Sequence, residues 1–184
     1  MTLLRSVCVF CGSRPGLRPA YVRDAAETGA LIAAQGWRLV YGAGDVGLMG
    51  EVARAAMAAG GRTMGVIPTH LLAREQGKRD LGQLVITEDM HERKKVMFMN
   101  CDAIVVLPGG IGSLDEFFEV LTWRQIGLHA KPIILLDTDG YWQPLLALLR
   151  HVIAEGFAED TVLGYFSVAA DVPALRTALR AALS

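Results

Sequence analysis

Short apolar, β-branched runs alternate with longer stretches of helical periodicity along the whole chain, and that alternation leaves few folds open. The runs Ser6–Phe10, Arg38–Tyr41, Thr63–Ile67, Gln83–Thr87, Ala103–Leu107 and Pro132–Leu136 read as strands. Helical patterns occupy Pro19–Gln35, Leu48–Ala59, Met90–Asn100, Ser113–Ile126 and Trp142–Glu155, and an amphipathic segment near Val172–Leu183 closes the chain. Several of the strands are apolar on both faces, as strands covered by helices on each side must be. The expected fold is therefore α/β: a doubly wound parallel sheet with helices on both faces, formed by residues 1–184 as one domain. Pro68–Gly82, charged and without clear periodicity, reads as a mobile loop.

Composition narrows the function classes. Of the 184 residues 52% are hydrophobic and 20% charged, which suits a well-filled core and argues against disorder. The net charge of −1 gives no basic field to recruit nucleic acid or an anionic membrane. No apolar run reaches the roughly 20 residues needed to span a bilayer, so a cytoplasmic protein is expected. Cys8 and Cys11 form a C-x-x-C, but Cys8 sits in an apolar run and nothing completes a zinc site. With Cys101 they read as reduced core thiols.

Two glycine-rich turns follow strands and open helices. In Tyr41–Gly50, Gly42, Gly44 and Gly47 match the dinucleotide fingerprint G-x-G-x-x-G. A dinucleotide site also needs an acidic residue at the end of the next strand for the ribose. That strand ends Val66-Ile67-Pro68-Thr69, so a tight phosphate- or sugar-facing turn is the stronger reading. The second turn, Leu107–Ser113, lets the backbone approach a ligand closely through Gly109, Gly110 and Gly112. A phosphate fits at the positive N-terminus of the following helix. No Lys follows Gly112, so this is not an ATPase P-loop, and a phosphomonoester pocket without Mg²⁺ fits better.

Ser113-Leu114-Asp115-Glu116 also reads as a capping box, with Glu116 folding back on the backbone of Ser113. Against that purely structural account, Asp115 and Glu116 place two carboxylates beside a phosphate site, which simple anion binding would not select. The helix terminus is expected to keep Glu116 ionised near neutral pH, as suits a base or a group stabilising a cation. The basic helix carrying Asp89-Met90-His91-Glu92-Arg93-Lys94-Lys95 has two readings as well. It is either a solvated face with an Asp89–Arg93 pair, or a helix whose first turn overhangs the same rim. His91 reads as a structural residue rather than a general acid.

The motifs Y-G-A-G-D-V-G-L-M-G at Tyr41–Gly50, M-H-E-R-K at Met90–Lys94 and P-G-G-I-G-S-L-D-E at Pro108–Glu116 resemble those of the LOG ("Lonely guy") family. That likeness runs from Val7–Ser13 to Lys131-Pro132. Its members are cytokinin riboside 5′-monophosphate phosphoribohydrolases, some under an older label as lysine decarboxylases. The resemblance implies a Rossmann-like homodimer acting on a small nucleoside monophosphate, without metal or redox cofactor. It assigns catalysis to Arg93 and Glu116. Substrate contacts fall on Glu75, Arg93, Lys94, Gly109, Gly110, Ile111, Gly112, Ser113, Leu114, Asp115, Glu116 and Thr122. Ala43 and Ser113 stand where the family more often has Gly and Thr. Ser113 keeps the hydroxyl, whereas Asp115 in place of the commoner Glu leaves base preference open. A decarboxylase using pyridoxal phosphate would need a Schiff-base Lys with an acidic partner for the pyridine nitrogen, and no lysine lies in a recognisable context of that kind. A different class, a nucleotide carrier or sensor without turnover, would gain nothing from a carboxylate at Glu116.

Overall fold

A computed structural model describes residues 4–72 and 82–184. Its sheet is parallel throughout and runs β4-β3-β2-β1-β5-β6-β7. The strands are β1 Ser6–Phe10, β2 Arg38–Tyr41, β3 Arg62–Pro68, β4 Gln83–Thr87, β5 Ala103–Val106, β6 Ile133–Leu136 and β7 Ser167–Ala169. Helices α1 Pro19–Ala34, α2 Gly47–Ala58, α3 Thr69–Leu72, α4 Met90–Met99, α5 Ile111–Gln125, α6 Gln143–Ala154 and α7 Val172–Leu183 connect or follow them. The expected doubly wound sheet is thus the observed one. Beyond the expected elements come β7, three residues at the sheet edge; α3, which with the end of β3 turns the start of the predicted loop into regular structure; and 3-10 turns at Thr138–Gly140 and Asp160–Gly164. Among the described residues no helix is long and apolar enough to cross a membrane.

Two apolar layers hold the sheet. Helices α1, α2 and α7 pack on one face through Ile32, Val52 and Leu175; α4, α5 and α6 pack on the other through Met97, Phe117 and Leu146. Cys8 belongs to the second layer and Cys11 to the first, so the C-x-x-C straddles the sheet, and both thiols are buried and free. At Gly29 a Cβ would lie 2.1 Å from the Val52 carbonyl oxygen, which is how closely α1 and α2 approach.

The strand order reverses between β1 and β5, the place where an open α/β sheet leaves a crevice beyond its strand ends. The loops leaving these two strands are tied together there: the Gly12 N–H donates to the Pro108 carbonyl at 3.0 Å.

Candidate active site at the strand-order reversal

A cavity of about 740 Å³ opens over this crevice. The turn after β5 forms its floor. Helix α5 begins at Ile111 with Gly110 as its extended cap residue, and no side chain caps it. Its first intrahelical bond is Leu114 N–H to the Gly110 carbonyl, 3.1 Å, so earlier N–H groups of the turn lack an intrahelical acceptor. Gly109, Gly110, Ile111, Gly112 and Ser113 all line the cavity. The other glycine turn has a different job. Leu48 and Met49 N–H groups both point to the Gly12 carbonyl, at 3.0 and 3.4 Å, so the start of α2 is occupied by protein. The Leu48 and Met49 N–H groups are thus not free for an anion, while both residues line the cavity.

The predicted capping box at Ser113 does not form. Ser113 is already in the first turn of α5, buried beside Gly109, and Glu116 lies a full turn further on. Glu116 lines the cavity and, as a residue, is only 8% exposed. Burial pushes its pKa up to about 7, against the pull of Arg93; Asp115 and Glu119 raise it, Lys94 lowers it. This corrects the expectation of a fully ionised Glu116. Desolvation of the carboxylate outweighs both the helix end and the nearby cations, and the group exchanges protons near neutrality.

Arg93 is no surface residue either. Asp89 caps α4 by accepting from Glu92 N–H at 2.8 Å, and Glu92 accepts from Glu88 N–H at 2.6 Å, so the Asp89–Arg93 pair is not made. The Arg93 side chain turns inward instead, 6% exposed. Its Nε donates to the Val66 carbonyl at 3.1 Å, Nη2 to that of Gly42 at 2.9 Å, and Nη1 meets Met90 Sδ at 3.7 Å. A guanidinium has five N–H donors, which leaves two for a ligand in the cavity that Arg93 lines.

The other expected site residues divide. Asp115 lines the cavity. Lys94 is buried behind it, with Nζ 3.0 Å from Asp115 Oδ2 and 3.1 Å from Glu119 Oε1. Burial alone would lower its pKa, but the two carboxylates more than offset that and the net shift is upward. Leu114 packs against the core under α5. Thr122 lies two turns further along α5, in a separate apolar cavity of about 240 Å³ beside Leu149 and Phe157. Glu75 falls outside the described residues. Sequence reasoning missed Arg14, Tyr21 and Tyr141, which also line the cavity. The rule that ligands sit at a strand-order reversal could have found the loop after β1; nothing local marks Tyr141.

Comparison with known proteins bears on the family and the fold. Residues 49–179 match the family model described as "Possible lysine decarboxylase". A Rhodococcoides fascians protein named "Cytokinin riboside 5′-monophosphate phosphoribohydrolase" is 43% identical over 96% of this chain and 89% of its own length. The rice protein "Probable cytokinin riboside 5′-monophosphate phosphoribohydrolase LOGL9" is 46% identical over 93% of this chain and 75% of its own. Among solved structures, the Chlamydomonas reinhardtii molybdenum cofactor carrier protein superposes with a TM-score of 0.76 at 24% identity, covering 98% of this chain and 99% of that one; at that identity the likeness speaks for the fold alone. The family model spans the helix bearing Arg93 and the turn leading to Glu116, and the full-length relatives carry the match across nearly the whole sheet: this chain belongs to the LOG family.

Proposed function

We propose that this protein hydrolyses the N-glycosidic bond of a purine nucleoside 5′-monophosphate, releasing the free base and ribose 5-phosphate. The observation that carries the reading is a buried carboxyl, Glu116, on the wall of a cavity whose floor is an uncapped, glycine-rich helix start. Relatives at 43% and 46% identity are named for this reaction on cytokinin riboside 5′-monophosphates.

In this reaction the C1′–N bond breaks as water supplies hydroxyl to C1′, and a proton goes to the base. Positive charge builds on C1′ and the ring oxygen, as in other glycoside hydrolyses. The turn Gly109–Ser113 holds the 5′-phosphate, so affinity for a remote group positions C1′. Ionised Glu116 stabilises the oxocarbenium-like centre and orients the attacking water, and a pKa near 7 lets it take the proton that water releases. Arg93, moored to two backbone carbonyls, presents its remaining N–H groups to the sugar phosphate or the departing base. Lys94 acts one step back, holding Asp115 and Glu119. None of these roles calls for metal or redox cofactor. Leu48, Met49 and Met90 supply an apolar wall for the base.

In this reading the protein works in the cytoplasm as a homodimer. Leu84, Ile86, Met99, Ile126 and Leu128 are exposed apolar groups available to a second copy.

The deciding experiment is incubation with AMP and with adenosine, without added metal or NAD, followed by chromatography of the bases. Adenine should appear from AMP and far more slowly from adenosine. AMP that binds but is never cleaved would replace hydrolysis with the carrier reading; equal rates on both compounds would remove the phosphate role of Gly109–Ser113.

A further inference from the structure

One side chain at the cavity has a hydrogen bond that the chemistry above does not use. Tyr141, in the loop between β6 and α6, points its ring across the crevice and donates its hydroxyl to the Gly109 carbonyl at 2.5 Å. Its position is fixed from several sides. The ring meets Tyr21 edge-on at 5.4 Å and Trp142 at 4.8 Å. The loop behind it is pinned through buried groups: Thr138 Oγ1 donates to Asp24 Oδ2 at 2.8 Å, and Asp137 Oδ1 accepts from Trp142 N–H at 2.6 Å. The Tyr141 N–H itself donates to the Thr138 carbonyl at 3.1 Å.

The atom it holds is the one that needs holding. Gly109 and Gly110 are adjacent glycines in a turn, and no Cβ restricts rotation of the peptide between them. That peptide is planar and trans, so fixing the Gly109 carbonyl also fixes the Gly110 N–H, which points the opposite way. The preceding carbonyl, of Pro108, is already tied to the Gly12 N–H from the other side of the crevice. Two successive carbonyls are thus anchored, one by each neighbouring loop. An anion site made of backbone N–H groups loses strength when those groups must first be ordered.

We propose that Tyr141 is a positioning residue for the phosphate-binding turn: by its bond to the Gly109 carbonyl it preorganises the N–H groups that receive the 5′-phosphate, and so sets the preference for nucleotide over nucleoside. The proposal rests on the hydrolase reading for its substrate but not for its binding test. Tyr141→Phe deletes the hydroxyl and keeps the ring against Tyr21 and Trp142, so the variant should melt close to the wild type.

Affinities of wild type and Tyr141→Phe for AMP, ribose 5-phosphate and adenosine are measured by calorimetry, and kcat and KM for AMP by adenine release. Expected is a rise of about tenfold in the Kd of AMP and ribose 5-phosphate, on the scale of one lost hydrogen bond. The AMP-to-adenosine affinity ratio should fall by the same factor, and the loss in catalysis should appear mainly in KM. Unchanged affinity for both phosphorylated ligands overturns the proposal, and so does an equal loss for AMP and adenosine, which would mark a general packing role. If wild-type protein binds AMP without releasing adenine, the hydrolase reading fails while the affinity comparison still decides the role of Tyr141.

Discussion

The Arg93 guanidinium occupies the space that a side chain at Gly42 would need: Nη2 donates to the Gly42 carbonyl at 2.9 Å, and a Cβ built on Gly42 would lie 1.8 Å from that same nitrogen. The first glycine turn therefore serves the site indirectly, by making room for a buried cation contributed by a helix 51 residues away in sequence. Gly42→Ala should push Arg93 out of place and lower kcat/KM for AMP by roughly 10²-fold, as misplacing a reactive or orienting group does. Wild-type turnover in a folded Gly42→Ala protein would show that this mooring is irrelevant to catalysis.

Glu116 should reveal a trade between stability and activity. Its folded pKa, about 7, lies above the ordinary value of 4.5. The unfolded chain therefore releases this proton first as pH rises, and stability present below about pH 4.5 is lost as pH rises through about 7. Glu116→Gln imitates the protonated form and escapes that loss. The variant should match wild type in unfolding free energy at pH 5 and exceed it at pH 8, by on the order of 2–3 kcal/mol, as urea denaturation at the two pH values would show. Adenine release should fall roughly 10²-fold or more, and wild-type activity should decline as pH drops through about 7. A variant less stable than wild type at pH 8 would contradict the burial argument.

Lys94→Met removes the cation shared by Asp115 and Glu119. Both carboxylates already oppose ionisation of Glu116, and Lys94 counters them. The acidic limb of the pH–rate profile should move to higher pH in this variant. A profile superimposable on that of wild type, measured by adenine release from pH 5 to 9, would leave Lys94 without influence on Glu116.

Two left-handed positions should respond unequally. Ala43 has φ +56°, strained for a residue with a Cβ, whereas Gly47, at φ +61°, would place a Cβ 2.3 Å from the Ser13 carbonyl carbon. Ala43→Gly relieves strain while loosening the unfolded chain, so its net effect should stay within about 1 kcal/mol. Gly47→Ala must displace the loop after β1 and should cost about 3 kcal/mol. Urea denaturation of both variants checks the contrast, and comparable losses would undo it.

The sequence alone determined the layered fold because its signals are local. Val7–Phe10 and Ile133–Leu136 are short runs with no polar face, which only a sheet covered on both sides accepts, and helical periodicity marks α1, α4 and α7 within a residue of their ends. It missed β7 because three residues carry no period. Motifs also named Arg93, Gly109–Ser113 and Glu116, but not what each would do. Tertiary structure decided that. The Ser113–Glu116 box gave way because packing of the turn after β5 against Gly12 starts α5 at Ile111, two residues before Ser113. Arg93 chose the carbonyls of β3 and the Gly42 turn over Asp89, and Tyr141 arrived from a strand two places away from β1 in the sheet. Periodicity follows from backbone geometry within a few residues. The pKa of Glu116 and the anchoring of Gly109 depend on what lies opposite them in space, and only the closed fold supplies that.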